Sequence, residues 1–192
     1  MAPDGRSGPG PTGPRWSPEH DRTETPVVSA VSIRRASLTD ASAVAEFQTR
    51  CWREAYAALV PQAYLDRVGV PEREVRWRDR IRTGSRTVAL AEREGRLVGV
   101  VSWGTTSTSG APSLELMSLY VSRAERGGGL GGRLLRHAIG DEPATLWVFE
   151  ANVRARAFYG RHGFVPDGRR RVDVDTGCEE LLYARRRVVA GG

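Results

Sequence analysis

Residues 119–135 have the sequence LYVSRAERGGGLGGRLL, in which an apolar strand pattern runs into a glycine-rich turn that opens a helix. Glycines let backbone N–H groups converge on an anion without interference from Cβ atoms, and the start of a helix adds partial positive charge. The stretch therefore predicts a cradle for a pyrophosphate group. A flexible structural turn has the same composition, so the loop alone leaves both interpretations open.

Two common nucleotide-binding patterns match this loop poorly. The Walker pattern GxxxxGK[ST] is absent, and all 29 basic residues of the chain are arginines, so no lysine is present to supply its cation. Gly127, Gly129 and Gly132 have the GxGxxG spacing. However, no acidic residue follows about twenty residues later at the end of a second parallel strand, where a dinucleotide-binding fold needs one.

A second informative segment, residues 146–164, has the sequence LWVFEANVRARAFYGRHGF. It predicts a strand, an asparagine cap, one amphipathic helix and a glycine stop. Ala155, Phe158 and Tyr159 lie at helical spacing, and Gly163 permits the left-handed turn that ends the helix.

Together the two segments resemble the GNAT-type N-acetyltransferases. Arg126-x-x-Gly129-x-Gly131 is similar to the acetyl-CoA-binding signature of that family. Asn152, Ala157-Phe158-Tyr159 and His162-Gly163-Phe164 resemble the family's next motif. The likeness spans roughly residues 31–187 and is specific over 114–164.

The resemblance implies an α/β fold with a mixed, strongly twisted central sheet and flanking helices. The sheet would splay between the strands predicted at Leu114–Val121 and Thr145–Phe149, and the pantetheine arm would lie in that gap. Residues 1–26 contain six prolines and four glycines and predict a flexible tail. We therefore expect one domain over residues 27–192.

The resemblance also implies acetyl-CoA as co-substrate and a set of residues that bind it. Leu119, Tyr120 and Val121 would line the pantetheine arm, with backbone contacts from Leu119 and Val121. Asn152 would bind the same arm or organise the turn beside it, although a plain helix N-cap also explains an asparagine there. The pyrophosphate would be surrounded by Arg126, Gly127, Gly128, Gly129, Leu130 and Gly131. Candidates for the 3′-phosphate are Arg123, Arg133, Arg154 and Arg156.

Tyr159 is the candidate general acid, because the family's matching tyrosine returns a proton to the leaving thiolate; the alternative is a core aromatic. Glu115 is the candidate base and Glu150 is its alternative, and an exposed glutamate without a catalytic function explains either residue equally well. Strand alternation would place Glu115 on the face of Leu119, but a bulge, common in the family, would change this. Trp147 stands where some relatives carry a glutamate.

The expected acceptor is a primary amine of a small molecule or peptide. Cys51 and Cys178 match no nucleophile motif, so we expect direct attack in a ternary complex. The first two helices and the late hairpin usually form the acceptor site in this family. Here they contribute Trp52, Tyr56, Tyr64, Trp77, Asp173, Asp175, Glu179 and Glu180.

Other function classes fit less well. A CoA-binding regulatory module without catalysis is the main alternative. Nucleic-acid binding by the basic body of this chain, whose full length has a formal net charge of +6, lacks a recognition motif. No apolar run or leader pattern indicates a membrane partner or secretion, so a cytoplasmic location is expected. The cysteines and three histidines have no metal-ligand spacing, so no metal is expected, and a homodimer is left open.

Overall fold

The computed structural model describes residues 30–56, 59–67, 69–106 and 108–186, and the predicted tail at residues 1–26 lies outside them. Within these residues, seven strands form one sheet in the order β1-β2-β3-β4-β5-β7-β6. The strands are β1 Ser32–Arg35, β2 Thr87–Arg93, β3 Arg96–Thr105, β4 Leu114–Val121, β5 Ala144–Phe149, β6 Val165–Val172 and β7 Glu179–Arg185. The helices are α1 Ala41–Tyr56, α2 Gln62–Arg67, α3 Val70–Thr83, α4 Leu130–Ile139 and α5 Val153–Arg161.

Helices cover both faces of this sheet, because successive residues of the central strands point to opposite sides. On one face Val44, Phe47 and Cys51 of α1 and Trp77 of α3 pack in a cluster with alternate residues of β2 and β3. The other face of the same strands packs against α4, with α5 beside it. The spacing of Val44, Phe47, Cys51 and Ala55 at i, i+3, i+7 and i+11 predicts one apolar stripe on this helix, and the stripe is confirmed except at Ala55, which is exposed in the last turn.

Three element boundaries differ from those that the sequence pattern predicts, which are a first helix that ends at Pro61, a first strand over residues 27–36 and a late strand that begins at Arg170. Within the described residues helix α1 extends to Tyr56 and residues 59 and 60 are not helical; Pro61 directly precedes α2, whose Tyr64 and Leu65 amides donate to its carbonyl at 2.9 and 3.4 Å. The first strand covers Ser32–Arg35 rather than 27–36, although residues 27–29 lie outside the described part of the chain. Strand β6 begins at Val165 rather than at residue 170, because an irregularity between Pro166 and Arg170 hides its strand pattern.

The predicted splay between β4 and β5 is confirmed. These parallel strands pair only at Leu114–Ala144 and Glu115–Thr145, and β5 then pairs along its other edge with β7. From residue 116 onward, the edge of β4 that faces β5 has no strand partner. Unpaired backbone groups at such an edge need other hydrogen-bonding partners.

Strand β4 also contains a bulge. Ser102 and Trp103 are adjacent in β3, yet they pair with Ser118 and Leu116, which leaves Met117 as an extra residue. Leu116 therefore packs in the same cluster as Leu119, despite the odd spacing between them. Glu115, next to Leu116, is consequently turned toward the opposite face, the one covered by α1 and α3.

Among the described residues, no helix combines the length and the apolar character that crossing a membrane requires.

Candidate active site

The backbone of β4 presents hydrogen-bonding groups to the gap. The Ser122 amide donates to the Val98 carbonyl of β3 at 3.0 Å. Because peptide groups alternate along a strand, the amides and carbonyls of Leu119 and Val121 point away from β3 and into the gap. This is the arrangement that a ligand carrying amides of its own, such as a pantetheine arm, can complete.

The glycine-rich loop forms a cradle of free amides at the start of α4. Gly127 and Gly129 have φ angles of +88° and +80°, a left-handed conformation that favours glycine. Within the described residues, the amides of Gly127 and of residues 129–132 donate to no carbonyl or side chain. A ten-residue helix that begins at Leu130 adds its dipole to these donors. The loop therefore fits a pyrophosphate.

Two further glycines let α4 lie close to α5. A Cβ atom on Gly131 would lie 3.2 Å from the Phe158 ring, and one on Gly132 would lie 2.9 Å from Nε2 of His162. The His162 ring is held in place, since its Nδ1 lies 2.9 Å from the Phe158 carbonyl oxygen. The motif residues around Phe158 and His162 therefore support the loop by packing against its helix.

The side chains of Arg126 and Asn152 already have protein partners. Arg126 donates from Nε to the Val121 carbonyl at 3.3 Å and from Nη2 to Glu54 at 3.5 Å. Asn152 caps α5, since its Oδ1 accepts the Ala155 amide at 3.0 Å. The capping interpretation of Asn152 is thus confirmed, while its role toward a ligand stays a prediction.

The four arginines predicted for the 3′-phosphate separate into two pairs. Arg133 donates to the Val31 carbonyl at 2.9 Å, and Arg156 donates to the Tyr183 hydroxyl at 3.1 Å. Arg123 and Arg154 are exposed, like Arg133, but their side chains form no hydrogen bond with any described residue. The second pair is therefore the one available to a ligand at the surface.

A cavity of about 260 Å³ lies where the gap reaches the face covered by α1 and α3. Leu119 and Tyr159 line it from the cofactor side. No described residue forms a hydrogen bond with the Tyr159 hydroxyl. Burial raises the pKa of Tyr159 above its ordinary value, and the neighbouring Tyr120 adds to the shift. The hydroxyl is therefore protonated, and no described residue accepts a hydrogen bond from it at the wall of the cavity.

The side chain of Tyr120, a residue predicted to line the pantetheine arm, lies on the side of the cavity formed by α1 and α3. Its hydroxyl accepts hydrogen bonds from Gln48 Nε2 at 2.9 Å and from Trp52 Nε1 at 3.1 Å. Gln48 in turn accepts from the indole of Trp77 at 2.8 Å. This network fixes the wall formed by α1 and α3. Gln48 was not predicted from the sequence. The one signal it gives there is that it is a polar residue next to the apolar Phe47 of α1.

Glu180 is the buried carboxylate of the cavity, at 8% exposure. Its Oε2 accepts from Arg171 Nε at 2.6 Å. Burial raises the pKa of Glu180 despite this partner, and the charge of Glu115 acts in the same direction. Glu180 was predicted only as an acceptor-side residue, yet it has the environment of a general base.

The two glutamates predicted as the base lie elsewhere. Glu115 accepts from the Thr106 hydroxyl at 2.6 Å and is not on the cavity wall. Glu150 pairs with Arg170 at 3.1 Å on the surface. Glu179 shares that arginine at 3.3 Å and likewise does not line the cavity.

The rest of the wall combines aromatic and charged side chains. Trp52 contacts Tyr56 and Tyr64 at ring-centroid distances of 4.7 and 5.5 Å; the three rings pack in one apolar cluster and also line the cavity, so their role toward an acceptor stays a prediction. Burial raises the pKa of Tyr56, and the Asn152 side chain opposes this shift. Five arginines and three carboxylates also line the cavity: Arg73, Arg76, Arg80, Arg86, Arg171, Asp173, Asp175 and Glu180.

Comparison with known proteins gives one consistent result. The model of the acetyltransferase (GNAT) family matches residues 42–164. The Mycobacterium tuberculosis protein named "Probable N-acetyltransferase Rv2775" is 30% identical over 146 residues, which cover 73% of this chain and 83% of that protein.

Solved structures agree in fold. The PaiA N-acetyltransferase of Thermoplasma acidophilum in complex with coenzyme A has a TM-score of 0.63 at 18% identity, over 82% of this chain and 99% of that one. The yncA acetyltransferase structure from Salmonella typhimurium with acetyl-CoA has a TM-score of 0.59 at 21% identity, over 85% of this chain and 99% of that one.

Proposed function

The chain belongs to the acetyltransferase (GNAT) family and is an N-acetyltransferase, and on this basis we propose that it transfers the acetyl group of acetyl-CoA to a primary amine of a small molecule or peptide. The observation that carries this proposal is the gap between β4 and β5, which runs from a loop of free amides to a cavity with an unpartnered tyrosine hydroxyl. That geometry suits a long phosphorylated arm with a reactive end.

The residues present fit acetyl-CoA. The amides of Gly127 and residues 129–132 would hold the pyrophosphate, and the peptide groups of Leu119 and Val121 would pair with the pantetheine amides. The thioester supplies an activated acyl group, and the protein's own groups position the amine beside it. Arg126 supports the loop through its bonds to Val121 and Glu54.

In the transfer, the neutral amine attacks the thioester carbonyl, a C–N bond forms and the C–S bond breaks. The amine loses one proton and the departing thiolate gains one. Tyr159 donates the proton that the thiolate gains, because the raised pKa of Tyr159 keeps its hydroxyl protonated at neutral pH. Glu180 accepts the proton that the amine loses, since it is the buried carboxylate of the cavity. Glu115, which bonds Thr106 and does not line the cavity, is the alternative acceptor.

The experiment is a screen of primary amines with acetyl-CoA, in which free thiol release and product mass are followed together. We expect turnover with at least one amine, and thiol release that depends on the amine rather than on water. Measured CoA binding without turnover on any amine would contradict the proposal and favour a regulatory CoA-binding module.

The two candidate bases are compared with Glu180→Gln and Glu115→Gln. If Glu180 takes the proton, Glu180→Gln lowers kcat by about 100-fold, and Glu115→Gln has a much smaller effect. The reverse order would return the role to Glu115.

A further inference from the structure

The acceptor side of the cavity carries a row of arginines. Arg73, Arg76 and Arg80 lie at positions i, i+3 and i+7 of α3, so they share one face of the helix. Arg86, just before β2, joins them on the cavity wall. Residue spacing in the sequence predicts the shared face, but only the structure shows which arginines have acidic partners.

The carboxylates of the same cavity are already engaged. Asp175 pairs with Arg76 at 3.1 Å, and Glu180 pairs with Arg171 at 2.6 Å. Asp173 accepts from the Thr176 amide and hydroxyl at 2.9 and 2.7 Å. These bonds hold the late hairpin in place, and among the described residues none of these three carboxylates forms a hydrogen bond or ion pair with Arg73, Arg80 or Arg86.

Three of these cavity arginines have no acidic partner among the described residues. Neither Arg73, Arg80 nor Arg86 forms a salt bridge or a hydrogen bond there. By contrast, Arg82 on the outer face of α3 pairs with Asp79 at 2.7 Å, although its side chain is 65% exposed. Exposed arginines elsewhere, such as Arg123 and Arg154, also lack a partner among the described residues, but they are solvated, whereas Arg73, Arg80 and Arg86 are buried or half-buried at the cavity wall.

Arg73 is the strongest case, because it is only 5% exposed. Its Nε atom is buried without a hydrogen-bond acceptor, and so is Nε1 of Trp147 on the same cavity wall. The Arg73 guanidinium lies 4.9 Å from the centroid of the Trp52 ring, which provides a contact but no acceptor. A buried cation and a buried donor without acceptors are costly unless a ligand supplies oxygen atoms.

The electrostatics of Arg80 and Arg86 are a second observation that favours a bound anion. Burial lowers the pKa of Arg80 to about 10, and the charge of Arg86 contributes to the shift. Burial also lowers the pKa of Arg86. Two partly buried like charges beside one cavity repel each other, and a bound anion removes that repulsion.

We propose that the acceptor is a small primary amine that carries its own oxyanion, a carboxylate or a phosphonate or phosphate, and that Arg73, Arg80 and Arg86 bind that group. The inference rests on the proposed acetyl transfer and specifies its substrate class. Binding of the oxyanion by α3 leaves the amine in the same cavity as Tyr159 and Glu180. A cavity of about 260 Å³ with buried anchors favours a free small molecule over a peptide.

The substrate test uses matched pairs that differ only in the anion. We would compare 4-aminobutanoate with 4-aminobutanamide, 3-aminopropylphosphonate with its diethyl ester, and α-amino acids with their amides. The expected result is about 10- to 100-fold higher kcat/KM for the anionic member of at least one pair. The carboxylate and phosphonate pairs distinguish the two oxyanions.

The variants are Arg73→Met and Arg80→Met, with Arg82→Met as the matched control on the outer face of α3. Either cavity variant should remove most of the preference for the anion, and Arg82→Met should keep it. Two cavity variants keep the test decisive if one of them fails to fold. Equal rates within every pair of amines, with turnover present, would overturn the inference and leave acetyl transfer standing.

Binding provides a readout that does not need turnover. With CoA saturating the glycine-rich loop and at constant ionic strength, replacing chloride by inorganic sulfate should raise the Tm of the wild type and of Arg82→Met by more than that of Arg73→Met, whose rise reports only the general effect of sulfate. If no amine is acetylated and sulfate still acts through Arg73, the anion site stands while the proposed function fails. An equal sulfate effect in all proteins, or none in the wild type, would overturn the anion site.

Discussion

Replacing Tyr159 by phenylalanine removes one oxygen atom from the wall of the cavity. Because that hydroxyl forms no hydrogen bond with any described residue, its loss breaks no bond in the folded protein. The free energy of unfolding should therefore change by less than about 0.5 kcal/mol. Proton donation to a leaving group contributes a factor of about 10² to 10⁴, so we expect kcat to fall at least 100-fold, equivalent to about 2.7 kcal/mol.

The pH dependence of this loss follows from the pKa of Tyr159. Burial raises that pKa, so the hydroxyl stays protonated from neutral pH to at least about pH 10, the ordinary value for tyrosine. The wild-type hydroxyl is thus available throughout, and the ratio of wild-type to variant kcat should be constant from pH 7 to about 9.5.

The assay is thiol release under saturating amine and acetyl-CoA, with the Kd of CoA measured by calorimetry and Tm by calorimetric scan. Tyr183→Phe is the matched control, because the Tyr183 hydroxyl bonds Arg156 and does not line the cavity. The control should lose about 1 kcal/mol of stability and keep its kcat. A Tyr159→Phe enzyme with kcat within threefold of wild type and an unchanged Kd for CoA would refute the role of Tyr159 as acid.

Three further predictions concern the loop, the network and the first helix. Gly129→Ala should cost about 1 kcal/mol of stability and weaken CoA binding, because its φ of +80° strains any residue with a Cβ; Gly128→Ala, whose Cβ would make an ordinary 3.5 Å contact, should do neither. Gln48→Leu should cost about 2 kcal/mol, since it leaves the fully buried indole N–H of Trp77 without its acceptor. Asp40, just before α1, accepts hydrogen bonds from Arg34, and these hold the pKa of Asp40 well below its usual range. The contribution of this pair to stability is therefore present above about pH 4 and lost as the pH falls. Asp40→Asn should make the fall in Tm below about pH 4 less steep.

Chemical denaturation and CoA titration check the first two of these predictions, and thermal scans across pH 2–7 check the third. Equal effects of Gly128→Ala and Gly129→Ala would show that the backbone conformation is not what the loop requires. Gln62→Leu is the control for Gln48→Leu, because the Gln62 side chain is exposed on α2. Equal stability losses would argue against a role of the Gln48–Tyr120–Trp77 network in stability. An unchanged slope for Asp40→Asn would assign the acid sensitivity to other carboxylates.

Much of the fold could be predicted because its signals are local. Strand β4, the glycine-rich loop and the cap of α5 are each specified by residues that are close together in the sequence. Their predicted boundaries agree with the observed ones within one residue. Helix α2 was missed because Pro61 was interpreted only as a stop, although proline also suits the start of a helix. The bulge at Met117 depends on pairing with β3, so the strand alternation alone placed Glu115 on the wrong face.

The sequence by itself determined the order of the seven strands, the glycine-rich loop and the family, because backbone conformation and motif spacing depend on neighbouring residues. Only the tertiary structure decided which charges are paired. Arg76 pairs with Asp175, 99 residues away in the sequence, while Arg73, three positions away on the same helix, pairs with no carboxylate of the described residues. Burial and ion pairing depend on contacts between distant segments, so twenty-nine arginines that look alike in composition become distinguishable only in the folded chain.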